Sequence, residues 1–407
     1  MLSKRTYDVV LFGATGFVGR QTVHYFANNA AVKTNGLRWA LAGRNQAKLE
    51  QVRQACEGAG DAGIVVAAAD DVKALDALAK SAGVVLSTAG PFSLYGSALV
   101  AACVRHGTHY VDITGETPWV AAMIAQHHAQ ATKGGTRIIP FCGFDSVPSD
   151  IGAWLITQAM QQRHGVPCVD VAAAFTLRGG VNGGTLASLF NIMGSGQARL
   201  LANPFLLNPT PASQKQIAAN SDPVTPRYDA QFKAWLGPFF MSAINSRVVR
   251  RSAALLHYGD DFSYQEYLRI GRGLLAGAAA TSLSISMGVS KVAMGFSAIR
   301  SVAAALIPKP GEGPSEGSMN KGSFRCELVG KSASGQVVRG RLQDQGDPGN
   351  RATTKMVCEA ALCLAIDTDK LPGGADYGGV LTPAAGLGDA LVKRLRDAGM
   401  TLVVDVS

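Results

Sequence analysis

The sequence contains no C-x-x-C pair. Its seven cysteines (Cys56, Cys103, Cys142, Cys168, Cys326, Cys358 and Cys363) are dispersed over 407 residues. That spacing excludes a zinc ribbon and supplies no disulfide framework, so reduced thiols and no metal site are expected. Charge is also scarce, at 16% of residues, and aromatics make up 7%. Hydrophobic residues reach 47%, which excludes a disordered or fibrous chain. The basic residues are scattered, and no helix-turn-helix, zinc-finger or aromatic–basic pattern is present. Both observations argue against nucleic acid as a partner. The charged stretch Met1–Thr6 runs straight into a strand and is no secretory signal, so a cytoplasmic protein is expected.

Positive charge is in excess, with a formal net charge of +9. It favours anionic partners: a phosphorylated cofactor, an acyl thioester carrier or an anionic membrane surface. The length allows two domains. Short apolar runs at Tyr7–Phe12, Leu37–Ala42, Ile64–Ala68, Val84–Ser87, His109–Ile113 and Arg137–Phe141 alternate with helical patterns. Six such strands joined by helices predict an α/β fold, a Rossmann doubly wound parallel sheet over residues 1–150. The pattern then changes. Residues 151–350 read as a second α+β domain for substrate or dimerisation. Within it, 203–238 is rich in Pro, Asn and Ser and reads as a long loop. Residues 351–407 read as a C-terminal segment packing back near the first domain.

The first strand leads directly into Gly13, Ala14, Thr15, Gly16, Phe17, Val18 and Gly19. The G-x-x-G-x-x-G spacing, between a strand and a helix, suits a pyrophosphate cradled by backbone N–H groups at a helix N-terminus. An acidic residue at the end of the second strand would hydrogen-bond the ribose hydroxyls of NAD. This chain has Arg44 there instead, which points to the 2′-phosphate of NADP(H). Asp70, after the third strand, suits either an adenine contact or a helix cap.

Ligands of such sheets bind beyond the carboxyl ends of the strands. The fourth strand ends at Thr88, Ala89, Gly90, Pro91 and Phe92, with Tyr95 close behind. The fifth ends at Asp112–Glu116, and the sixth at Gly143, Phe144 and Asp145. The nicotinamide is expected among these loops, near Gly90 and Gly143. Tyr95, Glu116 and Asp145 are the proton-handling candidates by type and place. Asp145 and Asp150 equally suit helix caps, and Asp112 and Thr114 suit a pinned turn. His127 and His128 read as a solvated helix face. No tyrosine is followed four residues later by lysine, which argues against short-chain-dehydrogenase chemistry.

In these stretches the chain resembles the saccharopine-dehydrogenase-like oxidoreductases, and within them the mycobacterial trans-acting enoyl reductases. The resemblance rests on Gly13–Arg20, Ala42–Arg44, Thr88–Gly96, Tyr110–Glu116 and Cys142–Asp150. It extends through Gly183-Gly184-Thr185, Gly313–Glu316, Gly346–Gly349 and Gly379–Pro383. One departure is Asn350, where an aromatic residue would follow Asp347-Pro348-Gly349. The resemblance implies an NADP-binding domain, a smaller second domain, and NADPH-dependent reduction of a carbon–carbon double bond in an acyl or lipid-like substrate. A saccharopine-type amino-acid or imine dehydrogenase, and a non-catalytic NADP(H)-binding sensor or scaffold, remain alternatives.

A last feature is a long apolar helix near 273–307. Ile285, Val289, Val292, Phe296, Ile299, Ala303 and Leu306 recur at steps of four and three, which makes one stripe. Its readings are a core helix, a homodimer interface, or a surface element giving peripheral membrane contact.

Overall fold

The computed structural model describes residues 5–179, 197–293 and 313–405. The Gly183-Gly184-Thr185 motif and the stripe beyond Val289 lie outside the residues whose side chains are described.

The first sheet contains β1 (Tyr7–Phe12), β2 (Trp39–Gly43), β3 (Gly63–Val66), β4 (Ala82–Ser87), β5 (His109–Asp112) and β6 (Arg137–Ile139). Consecutive β1 residues feed two different cores. Val9 and Leu11 pack into one, Val10 and Phe12 into the other. Helices on both faces of the sheet explain why these strands are apolar throughout rather than alternating. Pairing runs β6-β5-β4-β1-β2-β3, all parallel, which is the doubly wound order.

A seventh strand comes from far along the chain. The two residues Gly379–Val380 form β13 and pair in parallel with Arg137 and Ile138 of β6. The helix Thr353–Ile366, also from the tail, is buried over nearly its whole length. It packs on β4, β5 and the helix Phe17–Asn28. One face of the nucleotide domain is therefore filled by chain that follows the second domain.

The second sheet is mixed. It contains β7 (Cys168–Arg178), β8 (Arg227–Asp229), β9 (Ala234–Pro238), β10 (Ser263–Gly271), β11 (Ser323–Ser332), β12 (Val337–Gln345) and β14 (Thr401–Asp405), in the order β14-β12-β11-β7-β10-β9-β8. Among the described residues only β7 and β10 run parallel; the other neighbours are antiparallel. The stretch 203–238 is thus less loop-like than its composition suggests, since it holds a short helix at Gln214–Ala219 and the strands β8 and β9. The helix Val147–His164 lies across β11 and β12 and links the two layers. Gly152 permits this approach, because a Cβ there would stand 2.9 Å from Leu328 Cδ2.

Candidate active site

The site is assembled where β1, β4, β5 and β6 end. Gly13 has φ +85, and a Cβ on it would lie 2.9 Å from the Ala89 amide nitrogen. Gly19 is tighter still, since its Cβ would sit 2.1 Å from the Gly13 carbonyl oxygen. The turn therefore closes only on bare backbone. Thr88 fastens it to β4, with its Oγ1 donating to the Phe12 and Gly13 carbonyls at 3.3 Å each. The helix Phe17–Asn28 begins at Gly16 with no side-chain cap. Its first-turn amides are left for an external acceptor, and the helix dipole favours an anion there. Thr15, Gly16, Phe17 and Val18 complete this loop. Arg20 Nη1 donates to the Thr15 carbonyl at 2.9 Å, which places a cation beside the turn.

Arg44 follows β2 and is exposed. The neighbouring Asn45 caps the next helix by accepting from the Lys48 amide at 3.0 Å, so Arg44 is not needed for that task. Asp70 is likewise exposed beyond β3, and the cap of the following helix is Asp71, which accepts from the Ala74 amide. Turn glycines, an uncapped helix start and a cation at the end of β2 fit a dinucleotide carrying a 2′-phosphate.

The β4 loop is held by Glu116. Its carboxylate is buried and accepts from the Phe92 amide at 2.7 Å, the Ser93 amide at 3.1 Å and the Ser93 hydroxyl. Both oxygens are engaged, so Glu116 anchors the Gly90-Pro91-Phe92 turn. Asp112 pins the β5 and β6 ends in a similar way. It accepts from the Thr114 amide at 3.0 Å, the Phe141 amide at 3.2 Å and the Tyr110 hydroxyl at 2.9 Å. Thr114 in turn accepts from the Glu116 amide at 3.0 Å. Tyr95 stands exposed on the short helix Phe92–Tyr95.

Gly143 and Phe144 are held by the tail. The Phe144 amide donates to Thr353 Oγ1 at 3.1 Å, and that hydroxyl donates to the Pro348 carbonyl at 2.9 Å. Asn350 is buried and donates to Asp347, whose other oxygen accepts from the Arg351 amide at 3.1 Å. At the position where an aromatic was expected, the asparagine thus ties its own turn together.

Asp145 differs from these carboxylates. Its Oδ2 lies 3.5 Å from where a Gly115 Cβ would be, and Ile244 Cδ1 lies 3.3 Å from the same point. Among the described residues no hydrogen bond or ion pair engages it, and burial alone pushes its carboxyl up to about 7. Asp150 has another role: it accepts from the Ser252 hydroxyl and from the Ala384 amide at 2.8 Å, joining the helix Pro383–Asp397 to the second domain.

Some residues at the site were not foreseen. Phe144 contacts Phe324 and Phe175 edge-on, with centroids 4.9 and 6.1 Å away; Phe175 stacks on Phe239 at 4.8 Å, and Phe239 meets Phe240 at 5.2 Å. This row of rings runs from the β6 loop to Phe240, which is exposed. No periodic signal marked it, because the rings come from four separate segments of the chain. His128 is half-buried rather than solvated; its Nδ1 accepts from the Val380 amide at 3.1 Å and so holds β13. A cavity of about 880 Å³ lies between the helices Phe17–Asn28, Thr353–Ile366 and Pro383–Asp397. It includes the C-terminal end of the first of these, and therefore lies away from the strand carboxyl ends.

A doubly wound sheet with this turn, and with a cation at the end of β2, defines an NADP(H)-binding oxidoreductase. Residues 9–139 match the saccharopine dehydrogenase NADP binding domain. A Mycobacterium tuberculosis protein is 36% identical over 98% of this chain and 97% of its own length. The trans-acting enoyl reductases of Mycobacterium bovis and Mycobacterium leprae are 34% and 35% identical, each over 98% of both chains. The apo saccharopine dehydrogenase (L-Glu forming) of Saccharomyces cerevisiae superposes with a TM-score of 0.54 at 13% identity, over 98% of this chain and 99% of that one, which establishes the shared fold. The chain belongs to the saccharopine-dehydrogenase-like oxidoreductase family, in the group that contains the mycobacterial trans-acting enoyl reductases.

Proposed function

We propose that this oxidoreductase reduces the carbon–carbon double bond of an apolar acyl substrate, with Asp145 as the proton donor. The observation that carries the reading is the Asp145 carboxyl itself. It has no protein partner among the described residues, it is held near 7 by burial, and it faces Gly115 beside Ile244. Reduction of an enoyl group adds a hydride at the β-carbon and a proton at the α-carbon. NADPH, when bound, supplies the hydride. The Gly13–Gly19 turn and Arg44 would hold its phosphates, and Thr88, Gly90 and Gly143 are the residues that would receive its ring. A carboxyl with a pKa near the working pH is suited to the second task, since it is protonated before the step and stable as an anion afterwards. Partial exposure lets Asp145 recover its proton from water. Glu116 keeps the β4 loop in place, and Phe240, the exposed end of an otherwise buried row of phenyl rings, offers an apolar contact for the acyl chain.

The names of the mycobacterial relatives support the enoyl reading over an imine or amino-acid substrate. The test is a panel of enoyl thioesters, imines and 2-keto acids with NADPH, read by loss of nicotinamide absorbance. Turnover confined to enoyl thioesters is expected. Turnover confined to imines or keto acids overturns the assignment, and tight NADPH binding without any turnover favours a sensor or scaffold.

A further inference from the structure

The helix Gly273–Ala293 has two unlike faces. Its inner face is small and lies on β9. A Cβ on Gly277 would stand 2.9 Å from the Trp235 ring, Ala280 is fully buried, and Leu283 Cδ2 lies 3.1 Å from where a Gly237 Cβ would be. Its outer face carries Leu274 and Leu275, 90% and 87% exposed, and the exposed Ile285 and Val289. The segment Gly273–Ser290 is long and apolar enough to cross a membrane, yet only 6% of it is buried. An apolar surface of this kind marks a contact with a partner or a membrane.

Spanning conflicts with the packing. A membrane-crossing helix is surrounded by lipid or by other satisfied helices, whereas this one is seated along a strand of a mixed sheet. A helix with one apolar face free and the other fixed to the protein can lie in the plane of the interface. The charges around it select the lipid. The helix holds no acidic residue, and Arg272 and Lys291 flank the uncharged stretch. Arg272 Nε donates to the Lys233 carbonyl at 3.1 Å, which keeps two exposed cations together at the helix start. A second copy of the chain is a poorer occupant, because each carries a net charge of +9 and the two would repel.

We infer that this helix docks the protein on an anionic bilayer surface, with Leu274, Leu275, Ile285 and Val289 in the acyl layer and Arg272 and Lys233 among the headgroups. The direction of the helix gives this docking a use. Gly277 lies by Trp235 and Leu283 by Gly237, so helix and strand run the same way. β9 ends at Pro238, directly before the buried Phe239 and the exposed Phe240. Docking would bring the exposed Phe240 towards the membrane, where it would meet a lipid-dissolved substrate. That last clause rests on the acyl reading above; binding to the surface does not.

The test is flotation of the full-length protein with vesicles of phosphatidylcholine alone and of phosphatidylcholine with phosphatidylglycerol. Leu274→Asp/Leu275→Asp and Arg272→Glu are compared with wild type, and NADPH binding serves as the folding control. Wild type is expected to float with the anionic vesicles. The double variant should lose at least about tenfold in partitioning, and Arg272→Glu should lose most of the preference for phosphatidylglycerol. Because both leucines are exposed, neither change should alter NADPH affinity. Wild type that stays with the protein fraction in both mixtures overturns the inference. So does a double variant that floats as well as wild type, or one whose only change is from dimer to monomer in sedimentation velocity. No arm requires turnover, so failure here and failure of the enoyl assignment remain separable.

Discussion

Replacing Asp145 by asparagine should make the protein more stable at alkaline pH while stopping its chemistry. The carboxyl is raised from its usual 3.8 to about 7, and burial is the only cause. Between those values the native state holds a proton that the unfolded state has released. Stability therefore falls as pH rises through this window and levels off above about 7. Three pKa units correspond to about 4 kcal/mol at the upper limit. Asp145 is half-buried rather than sealed, so its partial contact with solvent reduces this to about 2 kcal/mol. Asparagine does not titrate and has nearly the same shape. Urea unfolding at pH 4 should give similar midpoints for Asp145→Asn and wild type. At pH 8 the variant should be about 2 kcal/mol more stable. Its turnover of enoyl thioesters should fall by about 10²–10⁴-fold, with NADPH affinity unchanged, while wild-type kcat should decline above about pH 7. A variant no more stable than wild type at pH 8 would refute the account of the raised pKa. A variant that keeps full turnover would remove Asp145 from the mechanism.

Other outcomes follow from the same geometry. Arg44→Asp should weaken NADPH binding by about tenfold to a hundredfold, from loss of a charged hydrogen bond, and leave NADH nearly untouched; calorimetric titration of both cofactors checks this. Gly19→Ala puts a methyl 2.1 Å from the Gly13 carbonyl oxygen, so the turn must open; loss of at least about tenfold in affinity for both NADPH and NADH is expected. Glu116→Ala strips the acceptor from the Phe92 and Ser93 amides and should cost about 1–3 kcal/mol in urea unfolding. Glu116→Gln, which keeps one carbonyl acceptor, should recover part of that loss.

The nucleotide domain was legible because its strands are buried on both faces and read as uninterrupted apolar runs. Arg44 could be located by counting from the Gly13 turn. The tail's contribution to the sheet could not. β13 is two residues long and exists because Arg137, Ile138 and His128 offer it partners. β8 is exposed and β9 follows a polar stretch, so local composition hid both. Among the acids, residue type and position marked Glu116 and Asp145 alike. Their environments separate them, and those environments are made by residues distant in sequence. Glu116 meets two amides 24 and 23 positions away. Asp145 is enclosed together with Gly115 and Ile244 from other elements. The aromatic row carried no period because no single helix or strand contains it.

The two C-terminal edge strands bear on how the protein is made. β13 closes one border of the nucleotide sheet and β14 closes one border of the other. The helix Thr353–Ile366, which fills a face of the first sheet, is also synthesised late. A chain still on the ribosome therefore has its Gly13 turn long before it has a complete core around it. The first sheet cannot be finished until Gly379–Val380 emerge, nor the second until Thr401–Asp405 do, and β6 and β12 present open edges to neighbouring chains until then. A stop codon a few dozen residues early would yield a protein with every nucleotide contact encoded and neither layer sealed. The expected fate of such a product is aggregation or proteolysis rather than partial activity.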